Sequence, residues 1–261
     1  MNRIAQAFQN GTAFIPFITG GDPDIEMTER LIRTLVRAGA DAIEIGVPFS
    51  DPIAEGPVIQ EATERALQAG CTVDTLLDLV SRLRVDISIP ILFMTYYNPV
   101  FVYGIERFVN NCAKGGVDGL IVVDLPFEER DELLGPCITH GIELISLIAP
   151  TSQARIKRIA EKSSGFLYCV SSLGVTGERH ILDSSAQHIV EQVRQVSDLP
   201  CAVGFGISTP QQAHDIAQFA DGVIIGSAFV RLIAEHGHNS EEAVFQFAQS
   251  IKEKLSCTKK S

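Results

Sequence analysis

The chain has 261 residues, 46% apolar and 20% charged, with a net charge of −11. That balance is globular; it excludes bulk disorder, a collagen-like repeat and a small disulfide-stapled scaffold. The acidity disfavours nucleic acid and anionic membrane surfaces as partners, but backbone N–H groups can still form a local phosphate site.

The length fits one large domain, expected over residues 1–261, with a frayed tail at 258–261. No pair among the six cysteines forms C-x-x-C, so no zinc or redox motif is expected. There is no apolar stretch of about 18 residues and no apolar run behind a basic N-terminus. A cytoplasmic chain without a membrane span or signal peptide is expected.

Short apolar runs alternate with helix-period segments along the chain. Residues 1–10 fit a short helix, with Ile4, Ala7 and Phe8 placed to plug one end of a barrel. Residues 14–20 (FIPFITG) read as the first strand. Asp22-Pro23 opens a helix with Met27, Leu31 and Leu35 on one face and Gly39 at its end. Residues 42–49 (AIEIGVPF) form the second strand, and Thr72 caps a helix carrying Leu76, Leu79 and Leu83. Strands 91–97 (ILFMTYY), 119–125 (GLIVVDL) and 143–149 (ELISLIA) follow. Thr151 precedes Ile156 and Ile159, and 165–171 (GFLYCVS) is the sixth strand. Asp183 precedes Ile189, Val193 and Val196, and 201–207 (CAVGFGI) is the seventh. Thr209-Pro210 opens the next helix, 222–228 (GVIIGSA) is the eighth strand, and Ser240 with Glu241 and Glu242 opens the last helix.

Eight β–α units in about 250 residues predict an α/β fold, a single-domain (β/α)8 TIM barrel. It carries an extra N-terminal helix and a short phosphate-binding helix after strand eight. An open doubly wound sheet is the alternative, but its first turn would carry G-x-G-x-x-G, and Thr19-Gly20-Gly21-Asp22-Pro23 does not.

In such a barrel the site lies at the C-terminal ends of the strands. Period-two alternation puts Ile43, Ile45 and Val47 under the outer helices, and Ala42, Glu44 and Gly46 on the inner face. A carboxylate there is costly unless it is bonded or used, and no predicted strand holds a Lys or Arg to pair with it. Desolvation should raise its pKa into the general acid–base range. The following loop, Pro48 to Pro57, offers Asp51 or Glu55 as a second carboxylate. Gly204-Phe205-Gly206-Ile207-Ser208 and Gly226-Ser227-Ala228 end the last two strands, the usual phosphate position in this architecture. The stretch 171–182, with Gly174 and Gly177, is long enough for a closing lid. None of the seven lysines lies on a strand, which disfavours Schiff-base chemistry, and none of the six histidines sits at a strand end beside a second ligand. What remains is carboxylate acid–base chemistry on a small phosphorylated molecule.

Several motifs, in order, resemble the tryptophan synthase α subunit family. They are Phe14-Ile15-Pro16-Phe17-Ile18-Thr19 with Gly21-Asp22-Pro23; Glu44-Ile45-Gly46-Val47-Pro48-Phe49-Ser50-Asp51-Pro52 with Gly56-Pro57; Leu173-Gly174-Val175-Thr176-Gly177; Gly204 to Ser208; and Gly226-Ser227-Ala228. The resemblance implies retro-aldol cleavage of indole-3-glycerol phosphate to indole and glyceraldehyde 3-phosphate. It implies no cofactor in this chain, and a β-subunit partner that carries pyridoxal phosphate in an α2β2 assembly. Glu44 would be the acid–base residue. Glu55 would bind the indole N–H; it stands where the family typically has Asp, one methylene shorter. Phe17, Tyr96, Tyr168 and Thr176 would contact the indole. Gly177, Gly204, Gly206, Gly226 and Ser227 would hold the phosphate, and Thr176 would close toward the Asp51 loop. Ser172 replaces an Arg frequent in the family. The apolar stretch Asn98-Pro99-Val100-Phe101-Val102-Tyr103 is expected as a loop facing the partner. A free-standing lyase, a non-catalytic ligand-binding barrel and another phosphosugar enzyme on the same barrel remain open alternatives.

Overall fold

The computed structural model describes residues 2–149, 155–170, 185–204 and 206–257. The tail 258–261 and the expected caps Thr151 and Asp183 lie outside the described residues.

Helix α1 (Arg3–Ala7) is followed by β1 (Ala13–Thr19), α2 (Ile25–Arg37), β2 (Ile43–Gly46), α3 (Pro57–Gln68), α4 (Val73–Leu83) and β3 (Ile91–Thr95). Next come α5 (Tyr97–Tyr103), α6 (Ile105–Gly115), β4 (Gly119–Val122), α7 (Asp131–His140), β5 (Glu143–Leu144) and β6 (Ser146–Ile148). The chain continues through α8 (Ile156–Glu161), β7 (Leu167–Val170), α9 (Ser185–Arg194), β8 (Cys201–Gly204), α10 (Pro210–Ala217), β9 (Gly222–Ile225), α11 (Ser227–His236) and α12 (Glu241–Ser256).

All strand pairs are parallel, in the order β5-β4-β3-β2-β1-β9-β8-β7-β6. The two ends of that order are consecutive in the chain. β5 and β6 are halves of one barrel strand, joined through Ile145, whose N–H bonds Leu120 O at 2.9 Å. Nine segments therefore fill eight positions, and the ring closes as a (β/α)8 barrel.

Alternation along the strands divides the core in two. Phe14, Ile18, Ile43, Ile45, Ile91, Phe93, Leu167, Cys169, Cys201, Val203, Val223 and Ile225 pack outward under the helices. Ala13, Ile15, Phe17, Leu92, Met94, Ile121, Ile145, Tyr168, Val170, Ala202 and Ile224 fill the interior. At the N-terminal ends of the strands, α1 acts as the expected plug: Ile4 is buried in the inner cluster and Phe8 packs on Phe166, ring centroids 5.4 Å apart.

Thr72 and Thr209 both close capping boxes, with Thr75 and Gln212. The cap of α2 is different from the one expected. Asp24, not Asp22, accepts the Met27 N–H at 2.6 Å. Asp22 is instead buried and bound by both arms of Arg65, at 2.8 and 2.9 Å. The pair ties the end of β1 to α3. Most expected strands also ended too late. The apolar run of 91–97 continues past β3 into α5, and 222–228 continues past β9 into α11. Apolar composition does not mark where a strand turns into a helix.

Arg65→Ala would strand the Asp22 carboxylate in an apolar setting. Urea unfolding should show a loss of about 2 kcal/mol, larger than for exposed ion-pair variants such as Arg33→Ala.

Candidate active site

Glu44 lies on β2, one strand over from Phe17, its register partner on β1, with Leu92 opposite on β3. Its side chain is 0% exposed, and neither carboxylate oxygen has a hydrogen-bond partner among the described residues. Among the described residues no cation acts on it, so burial acts alone and pushes its pKa up to about 8. The group is therefore a carboxylic acid at neutral pH and gives up its proton only slightly above it.

Two aromatic rings flank this carboxyl group. Tyr168, on β7, is fully buried; desolvation first, and the Glu44 charge second, hold its hydroxyl well above its usual range. Phe17 is 4% exposed. Both rings sit where only glycine leaves room. A Cβ on Gly46 would come within 2.6 Å of Phe17 Cζ, and one on Gly226 within 3.1 Å of its Cδ1. A Cβ on Gly204 would lie 2.7 Å from Tyr168 Cε1. The glycines at the ends of β2, β8 and β9 thus shape the aromatic walls, a role that the sequence did not reveal.

Glu55 occupies the loop between β2 and α3 and is half-buried. Desolvation lifts its pKa to about 7, against the lowering effect of a hydrogen bond from Tyr96. Tyr96 is 2% exposed and its ring packs on Phe49, centroids 5.3 Å apart. Asp51 is exposed, where it accepts a hydrogen bond from Ser50 Oγ. Of the two carboxylates the loop offered, Glu55 is the half-buried one and Asp51 the exposed one.

Gly204 ends β8, and Gly206 follows with φ +79°. Gly226 precedes α11, whose first residue is Ser227. β8 and β9 are neighbours in the ring, so these backbones form one rim. The first N–H groups of a helix lack intrahelical acceptors, which suits an anion. Thr176, Gly177 and Ser172 lie outside the described residues. Asn98 to Tyr103 is not the expected loop. The segment is helical, α5, capped by Asp124, which accepts the Tyr97 N–H at 2.7 Å. Asn98-Pro99 reads as a turn signal, but Pro in a first helical turn costs no hydrogen bond. Phe101 and Val102 on this helix are 64% and 78% exposed, and Ile53, on the Glu55 loop, is 75% exposed. No group of three or more His, Cys, Asp or Glu could hold a metal ion among the described residues.

The family model for the tryptophan synthase alpha chain matches residues 4–259. The chain belongs to that family. It is 48% identical over 259 residues to the tryptophan synthase alpha chain of Geotalea uraniireducens, covering 97% of both chains. Tryptophan synthase subunit alpha from Legionella pneumophila has the same fold, with a TM-score of 0.90 and 36% identity, over 99% of this chain and 100% of that one. A chain of the tryptophan synthase a2b2 complex from Pyrococcus furiosus matches with a TM-score of 0.87 and 35% identity, over 92% and 98%. The alpha chain family catalyses the lyase half-reaction of tryptophan biosynthesis, cleavage of indole-3-glycerol phosphate, and this chain is an enzyme of that class.

For this alpha chain, the buried acid carries a stability cost with a definite sign. Between about pH 4.5 and 8, Glu44 is ionised when unfolded and neutral when folded. The unfolded chain therefore binds fewer protons, and stability falls as pH rises through that window. Glu44→Gln removes this dependence. Its stability relative to the wild type should grow from pH 4.5 to 8, to at most about 4 kcal/mol, in paired denaturant titrations.

Proposed function

We propose that Glu44 and Glu55 divide the cleavage of indole-3-glycerol phosphate between an acid–base role and a charge-stabilising role. The reaction needs a proton on indole C3 and the loss of one from the adjacent glycerol hydroxyl. Glu44, neutral at pH 7, donates its proton to C3. The positive charge that develops on the ring is met at N1–H by the Glu55 carboxylate. Glu44, now a carboxylate, takes the hydroxyl proton as the C–C bond breaks, and indole and glyceraldehyde 3-phosphate leave with Glu44 restored. The observation that carries this reading is the unpaired, fully buried Glu44 carboxyl group beside two aromatic walls. One carboxyl kept neutral and another able to ionise is how environment assigns acid and base roles.

Phe17, Tyr96 and Tyr168 supply the apolar surroundings of the indole, and Thr176 is a further contact that the family resemblance implies. Gly177, Gly204, Gly206, Gly226 and Ser227 supply backbone and hydroxyl donors for the phosphate. The partner is a tryptophan synthase β subunit carrying pyridoxal phosphate, which receives the indole, in an α2β2 assembly. Phe101, Val102 and Ile53 form the apolar surface offered to it, since large exposed side chains beside a site mark partner contacts. All six cysteines are free thiols, which suits a cytoplasmic setting.

Indole release from indole-3-glycerol phosphate by the purified chain tests the reading. Release should be slow alone, rise sharply with a β subunit, and vanish in Glu44→Gln. Rapid release without a partner would indicate a free-standing lyase, and no release in either case would leave a binding barrel. In the wild type, kcat/KM should follow a bell, rising as Glu55 ionises near pH 7 and falling as Glu44 ionises near 8.

A further inference from the structure

We propose that the cavity between the β4–α7 loop and β6 is a binding site for a small carboxylate with an apolar body, held by the Arg130 guanidinium.

The cavity has a volume of about 220 Å³ and is walled mainly by Val122, Leu125, Phe127, Leu144, Leu147 and Ile159. Its polar side chains are Arg130, Arg155 and Ser146, and no Asp or Glu lines it among the described residues. In a chain of net charge −11, this recess presents two cations and no acid.

Arg130 stands at the start of α7 and is 5% exposed, yet it forms no ion pair among the described residues. Its Nη1 donates to Ser146 Oγ at 3.1 Å, and its Nη2 donates to the Lys162 carbonyl. Its guanidinium carbon lies 4.4 Å from the centre of the Phe127 ring. All three partners are neutral. They orient the guanidinium without balancing its charge, and a buried charge without a counter-charge is costly. Desolvation accordingly pulls its pKa below the usual arginine value, with the Asp131 charge opposing. A guanidinium carries five N–H donors, and two of them are used here. Water in the cavity could take the others but brings no charge. An anion does both.

The surroundings hold this group in place. Ser146 Oγ lies 2.7 Å from Ser163 Oγ, which donates to the Ile159 carbonyl at 2.6 Å. Arg155 Nη1 bonds both oxygens of Glu128, at 3.0 and 3.2 Å, and Arg158 reaches the same carboxylate at 4.0 Å. One exposed acid thus serves two other guanidinium groups and is not spent on Arg130.

The lining also selects the ligand. A guanidinium matches carboxylate and phosphate alike. The walls are apolar, so the hydroxyls of a sugar phosphate would be buried there without partners. An apolar body with one carboxylate leaves nothing unpaired. The volume lies below the range of about 300–1,000 Å³ typical of drug-sized ligands, so the ligand is small.

Calorimetric titration of the full chain with benzoate, neutral benzamide and inorganic phosphate tests the site. Benzoate should bind at one site with a Kd on the order of 1 mM, and benzamide and phosphate about 10-fold more weakly or worse. Arg130→Gln should weaken benzoate by about 10-fold or more. Arg155→Gln, at a half-exposed position, should fold as the wild type does and weaken it by about threefold. In NMR spectra of the wild type, the benzoate ring protons should show cross-relaxation with the Leu144 and Ile159 methyls, which places the ligand even if Arg130→Gln unfolds. Equal binding of benzoate and benzamide, or unchanged benzoate affinity in a folded Arg130→Gln, would overturn the inference. So would cross-relaxation to Tyr168 instead of Ile159, which would put the ligand beside Glu44. Phosphate binding more tightly than benzoate, and lost in Arg130→Gln, would overturn the apolar carboxylate as its ligand.

Discussion

A carboxyl group sealed among parallel strands, with no cation and no hydrogen bond, is stable there only as the neutral acid. Glu44 is in that position, and much of the barrel interior is arranged around it. Phe17 is its register partner and Tyr168 is close enough to feel its charge, and the glycines at three strand ends make room for those rings. The apolar interior that stabilises the fold is also what keeps the acid protonated. Stability and chemistry are therefore opposed at this residue, as expected where a site needs a group that the core would reject.

The second carboxylate solves a different problem. Glu55 is on a loop and half-buried, and the role proposed for it needs an ionised carboxylate near neutrality. Tyr96 sits at a strand end, and its hydroxyl accepts the N–H groups of Ile53 and Ala54, the two residues before Glu55. The same strand end starts α5, whose Phe101 and Val102 form the exposed apolar face. The Glu55 loop and the helix with the exposed apolar face thus share one anchor.

Much of this was legible in the sequence, for physical reasons. Buried parallel strands leave continuous β-branched runs, and eight of them at regular spacing left few architectures. Glu44 stood out because strict alternation put a charge on an inward face with no cation available. The missed features depend on where side chains land in three dimensions. Nothing in residue spacing says that the Tyr96 hydroxyl meets Ile53 and Ala54 from more than forty positions away. Asp22 looked like a helix cap because Asp-Pro is a common opening, yet Arg65, a full α-helix later, claims it. Gly204 and Gly226 were read for phosphate alone, while their packing under Tyr168 and Phe17 shows only in three dimensions. The lid expected over 171–182 was read from its length and its two glycines, and the substrate roles expected of Thr176 and Gly177 came from the family resemblance.

The central claim is that Glu44 holds its proton at neutral pH, and the titration of its side-chain carboxyl carbon by 13C NMR measures that directly. The account predicts a carboxylic acid at pH 7, a midpoint near 8, and loss of the signal in Glu44→Gln. A midpoint below about 5, in the ordinary carboxylate range, would contradict it and remove the acid from the mechanism.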